Sequence, residues 1–185
     1  MRTRDLAFIA MFAAFMVVLG LFPPIAVPVI PVPITAQSLG VMLAGSIIGA
    51  RRGGLAVLLF VLLVAIGLPV LAGGRGGLGI LLGPTGGYIV GWPIGAFVVG
   101  LITERVWRRY NVVWAALANI VGGVLVVYAV GIPWSAISSG VALLPATIAN
   151  VSFLPGDLVK VVVASVVAVS VRRAYPVIEV EHQKR

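Results

Sequence analysis

Six long apolar runs succeed one another along the chain, at about residues 6–22, 36–50, 53–71, 85–102, 112–132 and 155–171. Each approaches the roughly 20 residues an α-helix needs to cross the hydrocarbon of a bilayer. The shorter runs require local thinning of the bilayer or a loop that dips into the protein. The runs are apolar all round, without the in–out alternation of barrel strands. A backbone in lipid must satisfy its own hydrogen bonds, so helices are expected. The pattern predicts an all-α integral membrane protein of six transmembrane helices, a single domain over residues 1–185 with a short polar tail from about residue 174. The opening Met1-Arg2-Thr3-Arg4 has the look of a secretory leader. The run behind it continues to about Phe22, long enough to span, and is read as the first helix.

Composition agrees with the pattern. The chain is 61% hydrophobic with a mean hydropathy of +1.19, outside the range of ordinary soluble domains. It has no cysteine, which excludes disulfides, thiolate metal sites and iron–sulfur clusters. His182 is the only histidine, so a histidine metal cluster is excluded and no cofactor is expected. No nucleophile sits beside a base, and no Walker motif is present. The chain is therefore read as a non-enzyme that does not itself hydrolyse ATP.

The net charge of +8 raises the question of nucleic acid, but the basic residues come in short clusters between apolar runs, not as a stripe. Arg2 and Arg4 precede the first run. Arg51 and Arg52 lie between the second and third; Arg105, Arg108 and Arg109 between the fourth and fifth. Arg172, Arg173, Lys184 and Arg185 follow the sixth. In a six-span chain these eleven share one side, and the opposite side carries Arg75. Positive clusters mark the cytoplasmic face, so both termini are expected there.

The outer side holds unusual connections. Residues 23–33 are apolar and rich in proline, hence extended and stiff. Residues 72–87 are rich in glycine, and residues 133–154, with Trp134 and Asn150, read as a third loop. Apolar loops gain little from water. They are expected to fold back over the bundle and close a substrate pocket near the outer face.

Within this frame a few residues carry chemistry. The glycine-rich loop does not end in Gly-Lys-Ser/Thr, so it is not a phosphate loop. Its glycines, Gly73 and Gly79 among them, serve either tight turns and close helix contact or the approach of backbone to a ligand. Asp157 and Lys160 stand well inside an apolar run, after the helix-breaking Pro155-Gly156, three residues apart and so on one helix face. They are either a self-neutralising pair or a polar ligand site. Their position on the outer side, away from the cytoplasmic lysines and arginines, favours the ligand site. Tyr88 and Trp92, at i and i+4, fit a pocket wall or an interfacial belt; Tyr128 and Trp134 fit the belt. Ala10 and Ala14 give the first helix a small face, suited to packing within the bundle or to docking on a second membrane protein.

Three motifs in order complete the reading. Pro31-Val32-Pro33-Ile34-Thr35-Ala36-Gln37-Ser38-Leu39-Gly40 opens the second run. Gly83-Pro84-Thr85-Gly86-Gly87-Tyr88 opens the fourth, and Phe153-Leu154-Pro155-Gly156-Asp157-Leu158-Val159-Lys160 the sixth. With Arg51-Arg52-Gly53 after the second, they resemble the BioY family over about residues 5–172. That family supplies the biotin-binding S component of energy-coupling factor (ECF) importers. The resemblance implies a six-helix protein of the bacterial cytoplasmic membrane that takes up biotin. It implies that Asp157 and Lys160 contact the vitamin; Gln37, Gly73, Arg75, Gly79, Thr85, Tyr88 and Trp92 are taken here as further candidates for the substrate site. It implies three partners, a transmembrane coupling protein and two ATP-binding subunits, with Ala10 and Ala14 on the docking face. It also permits a self-sufficient biotin carrier or homo-oligomer. From another class, a non-transporting membrane scaffold in which Asp157 and Lys160 are structural stays open.

Overall fold

The computed structural model describes residues 2–25 and 34–178. Most of the proline-rich stretch expected to close the outer face, and His182, Lys184 and Arg185 at the end of the tail, lie outside the described residues. The described chain is helical, with no strand; two single antiparallel bridges, Ile25 with Ile34 and Leu71 with Arg75, close the first two loops.

Every predicted apolar run coincides with a helix. The first three are α1 (Thr3–Leu19), α2 (Gln37–Ile48) and α3 (Ala50–Ala65). A short α4 (Leu78–Leu82) lies inside the glycine-rich loop, followed by α5 (Gly86–Arg105). The fifth run forms one rod: α6 (Val112–Ala118), a π-helical segment (Asn119–Val126) and α7 (Val127–Ser139). The sixth is α9 (Leu154–Ala174), preceded by α8 (Leu143–Asn150) and a 3₁₀ turn (Val151–Phe153). Three of these rods, Gly86–Arg105, Val112–Ser139 and Leu143–Ala174, are long and apolar enough to cross a membrane.

Two expectations change. Residues 133–154, read as a loop, are mostly helix: α7 runs through Pro133 to Ser139 before Gly140 ends it in the left-handed conformation, and α8 follows within three residues. Pro155, read as a breaker ahead of the last helix, sits in its first turn, where a missing N–H leaves no hydrogen bond unmade.

The central helix is α5, which packs against α2, α3, α7 and the π segment, while α1 lies on α3 and α2, and α9 on α2 and α6. Small residues allow this. A Cβ on Gly95 would come to 2.7 Å from the Gly122 carbonyl oxygen, and one on Gly100 would meet the backbone of Gly49 and Ala50. Gly49 itself has φ +83° and joins α2 to α3 without a spacer. Glu104 of α5 accepts the Ala50 N–H at 2.7 Å, satisfying a backbone donor at the start of α3.

The basic clusters also do structural work. Arg52 forms an ion pair with Asp5 of α1 at 2.8 Å and donates to the Val177 carbonyl at 3.2 Å. The tail after α9 is thus not free over its first residues: Val177 and Ile178 are buried under the bundle. Arg172 donates to the carbonyls of Tyr110 and Trp107, both at 2.6 Å, and lies over the Trp107 ring. Ala10 and Ala14 are exposed, whereas Ala13 is buried, so the small face of α1 points away from the bundle rather than into it.

Candidate functional site

A cavity opens where α2, α5 and α9 begin and α7 passes between them. Its wall takes Thr35, Gln37 and Ser38 from the start of α2, and Leu71 and Arg75 from the glycine-rich loop. Thr85, Tyr88, Ile89 and Trp92 come from the start of α5, Val127 and Tyr128 from α7, and Phe153, Asp157 and Lys160 from the approach to α9 and its first turns. Gly123 of the π segment adds backbone, with Met42 packed where its side chain would stand.

The polar groups concentrate at the α9 side. Asp157 is buried in the first turn of α9, where the helix N-terminus favours a carboxylate. Its Oδ1 accepts from Lys160 Nζ at 3.0 Å, and its Oδ2 from the Tyr128 hydroxyl at 2.6 Å. Lys160 Nζ also donates to Ser38 Oγ at 2.9 Å, so the ammonium bridges α9 and α2. A buried charge without partners is costly, and here each charge has two. Above the pair, the Tyr88 ring meets Tyr128 and Phe153 edge to face, and its hydroxyl donates to Asn150 Oδ1. Apolar rings over a carboxylate–ammonium floor suit a ligand with one polar end and one apolar body.

Of the nine sequence-predicted residues, Asp157, Lys160, Arg75, Thr85, Tyr88, Trp92 and Gln37 line this cavity; Gly73 and Gly79 do not. Gly73 takes φ +79° in the turn closed by the Leu71–Arg75 bridge, beside Pro24, and Gly79 faces open space. Gln37 is fully buried with its amide turned to backbone: Nε2 donates to the Met16 and Val70 carbonyls, and Oε1 accepts from Ala72 N–H. It anchors the glycine-rich loop to α1 and α2. Arg75 Nε donates to the Ala72 carbonyl at 3.1 Å, and its two Nη groups make no hydrogen bond among the described residues. Tyr128, read as a belt residue, points into the cavity, and Ser38 and Phe153 join it from within the motifs already singled out. Trp134 donates Nε1–H to the Gly83 carbonyl at 3.0 Å, tying α7 to the end of the glycine-rich loop.

Such a bundle defines a helical integral membrane protein, and its cavity joins aromatic rings to a paired carboxylate and ammonium. The sequence profile of the BioY family matches residues 1–177, and the chain belongs to that family. It is 51% identical over 183 residues to the "Biotin transporter BioY" of Rhizobium etli, covering 96% of this chain and 98% of that one. It is 49% identical to the protein of the same name from Rhodobacter capsulatus, covering 94% and 95%. Its fold matches a crystal structure described as the S-component for biotin from an ECF-type ABC transporter, with a TM-score of 0.88 and 35% identity over 94% of this chain and 95% of that one.

Proposed function

We propose that this chain binds biotin in the cavity between α2, α5, α7 and α9 and delivers it across the cytoplasmic membrane as the substrate-specificity component of an ECF-type importer. The observation that carries the reading is the Asp157–Lys160 floor beneath Tyr88, Tyr128 and Phe153, in a chain of this family. Biotin presents a ureido ring with two N–H donors and one carbonyl acceptor, an apolar thiophane ring and chain, and a terminal carboxylate. Asp157 accepts a ureido N–H and Lys160 donates to a ligand oxygen. Trp92, Ile89 and the three rings enclose the apolar body, and the Arg75 Nη groups answer the carboxylate. The test is calorimetric titration of the purified protein with a panel of vitamins. Biotin alone is expected to bind at one site; no heat with biotin overturns the reading.

The same reading gives six spans with both ends in the cytoplasm, supported by the basic residues gathered at one end of the runs. With no cysteine in the chain, single-cysteine variants report sidedness directly. Leu78→Cys is expected to label from outside intact cells, and Arg108→Cys only after permeabilisation; both residues are exposed. Labelling of both from outside ends the six-span topology.

The coupling protein is assigned to the outward face of α1. Ala10 and Ala14 stand exposed there, where small residues let another helix approach. Replacing both with Trp is expected to leave biotin titration unchanged and to abolish copurification with the coupling protein and its two ATP-binding subunits. An intact complex from that variant removes α1 as the docking helix.

A further inference from the structure

On the outside of the bundle, away from the cavity, a groove runs between α3 and α5. Leu55 and Leu58 form one wall, and Pro93, Ile94 and Phe97 the other. Gly54 brings the two helices together beneath it: a Cβ there would stand 3.3 Å from the Phe97 Cβ. Arg51, in the first turn of α3, lines the same groove. Its surroundings differ from those of Arg52 beside it. Arg52 is paired with Asp5 and Val177, whereas Arg51 is exposed and makes no hydrogen bond or ion pair among the described residues. From Arg51 to Leu58 is two helical turns, about 10 Å. That is about two-thirds of the depth of one leaflet of a 30 Å core.

We propose that this groove holds one anionic phospholipid, with its phosphate on the Arg51 guanidinium and an acyl chain between the Leu55–Leu58 and Ile94–Phe97 walls. The assignment rests on the reading of α3 as a membrane span, which sets Arg51 at headgroup level and the groove in hydrocarbon. A guanidinium offers forked donors that match phosphate oxygens. A zwitterionic lipid carries its own cation beside the phosphate, so the unpaired arginine discriminates in favour of a net negative headgroup. A basic side chain near an anionic surface is worth about fivefold in occupancy.

The experiment is native mass spectrometry of the detergent-purified protein titrated with phosphatidylglycerol and with phosphatidylcholine of the same acyl chains. One retained phosphatidylglycerol is expected, at about fivefold preference over phosphatidylcholine. Arg51→Gln is expected to erase that preference, while Arg108→Gln, an exposed arginine of another basic cluster, keeps it. Ile94→Trp, which fills the groove from an exposed position, is expected to lose both lipids. Equal retention of the two lipids by the wild type, or equal losses in the Arg51 and Arg108 variants, overturns the site in favour of general surface charge. Leu58→Cys separates this from the span reading. If it resists a membrane-impermeant maleimide, the span stands whatever the lipids do; if it labels, the span and the lipid site fall together. Biotin titration of Arg51→Gln and Ile94→Trp is expected to match the wild type, since neither residue lines the cavity.

Discussion

Asp157→Asn is expected to weaken biotin binding by roughly 1–3 kcal/mol, about five- to 150-fold, and Lys160→Met by a similar amount. The two losses have different origins. In Asp157→Asn, an amide N–H replaces one acceptor oxygen, so either the Tyr128 hydroxyl, the Lys160 ammonium or a ureido N–H loses its partner. In Lys160→Met, the stem volume stays, but the donor to the ligand and to Ser38 Oγ goes. Because the two groups act as a unit, the double variant is expected to lose less than the sum of the single losses. It should also stay folded, since both charges leave together. Titration calorimetry with size-exclusion chromatography as the folding check reads all three. Wild-type affinity in both single variants, with each eluting as one species, makes the pair structural and the site assignment wrong.

Gly100→Ala is expected to be strongly destabilising. The added methyl would meet the backbone of Gly49 and Ala50, which cannot rotate away as a side chain could. That backbone is itself fixed, by the positive φ of Gly49 and by the Glu104 carboxylate on the Ala50 N–H. Overpacking of this kind costs about 3 kcal/mol, which lowers Tm by about 6–12 °C in a chain of this size. Gly79→Ala is the contrast. Gly79 has open space where its Cβ would go, lies in the short α4, and does not line the cavity. It is expected to leave Tm and biotin binding unchanged. Thermal unfolding in detergent checks both, and equal Tm values for the two variants would remove the α5 contact as a stability determinant.

The helices were legible because each is a continuous apolar run, and lipid forces such a run to close its own hydrogen bonds. The stretch 133–154 was not, because prolines such as its Pro133 and Pro145 break helices in water-soluble chains. In a bundle, neighbouring helices support a rod through a proline, and α7 runs through Pro133. Asp157 and Lys160 stood out because ionised groups are rare inside apolar runs. Tyr128 did not, because an aromatic in an apolar run reads equally well as an interfacial belt residue. The π turns of 119–126 shift the phase of the rod, so a face extrapolated at 3.6 residues per turn from Val112 no longer points the same way at residue 128. Gln37 was named a substrate-site candidate through its motif, and it lines the cavity; its three backbone partners come from distant parts of the chain and leave no local signature. Arg52 and Arg172 are similar. Their spacing marks a membrane side, but the carbonyls they hold are groups that every residue has.

The bridge from Lys160 to Ser38 has a consequence for biosynthesis. A ribosome delivers α2 long before α9, yet α2 takes one of its main neighbours from α9, and the cavity takes its acid and its base from there. Until the final rod enters the bilayer, the nascent protein has aromatic and hydroxyl groups for a site but no floor beneath them. The clasp of Val177 on Arg52 must form later still, since Val177 follows α9 in the chain. On the proposed reading, affinity for the vitamin comes only with α9, and a product truncated ahead of Asp157 is expected not to sequester substrate.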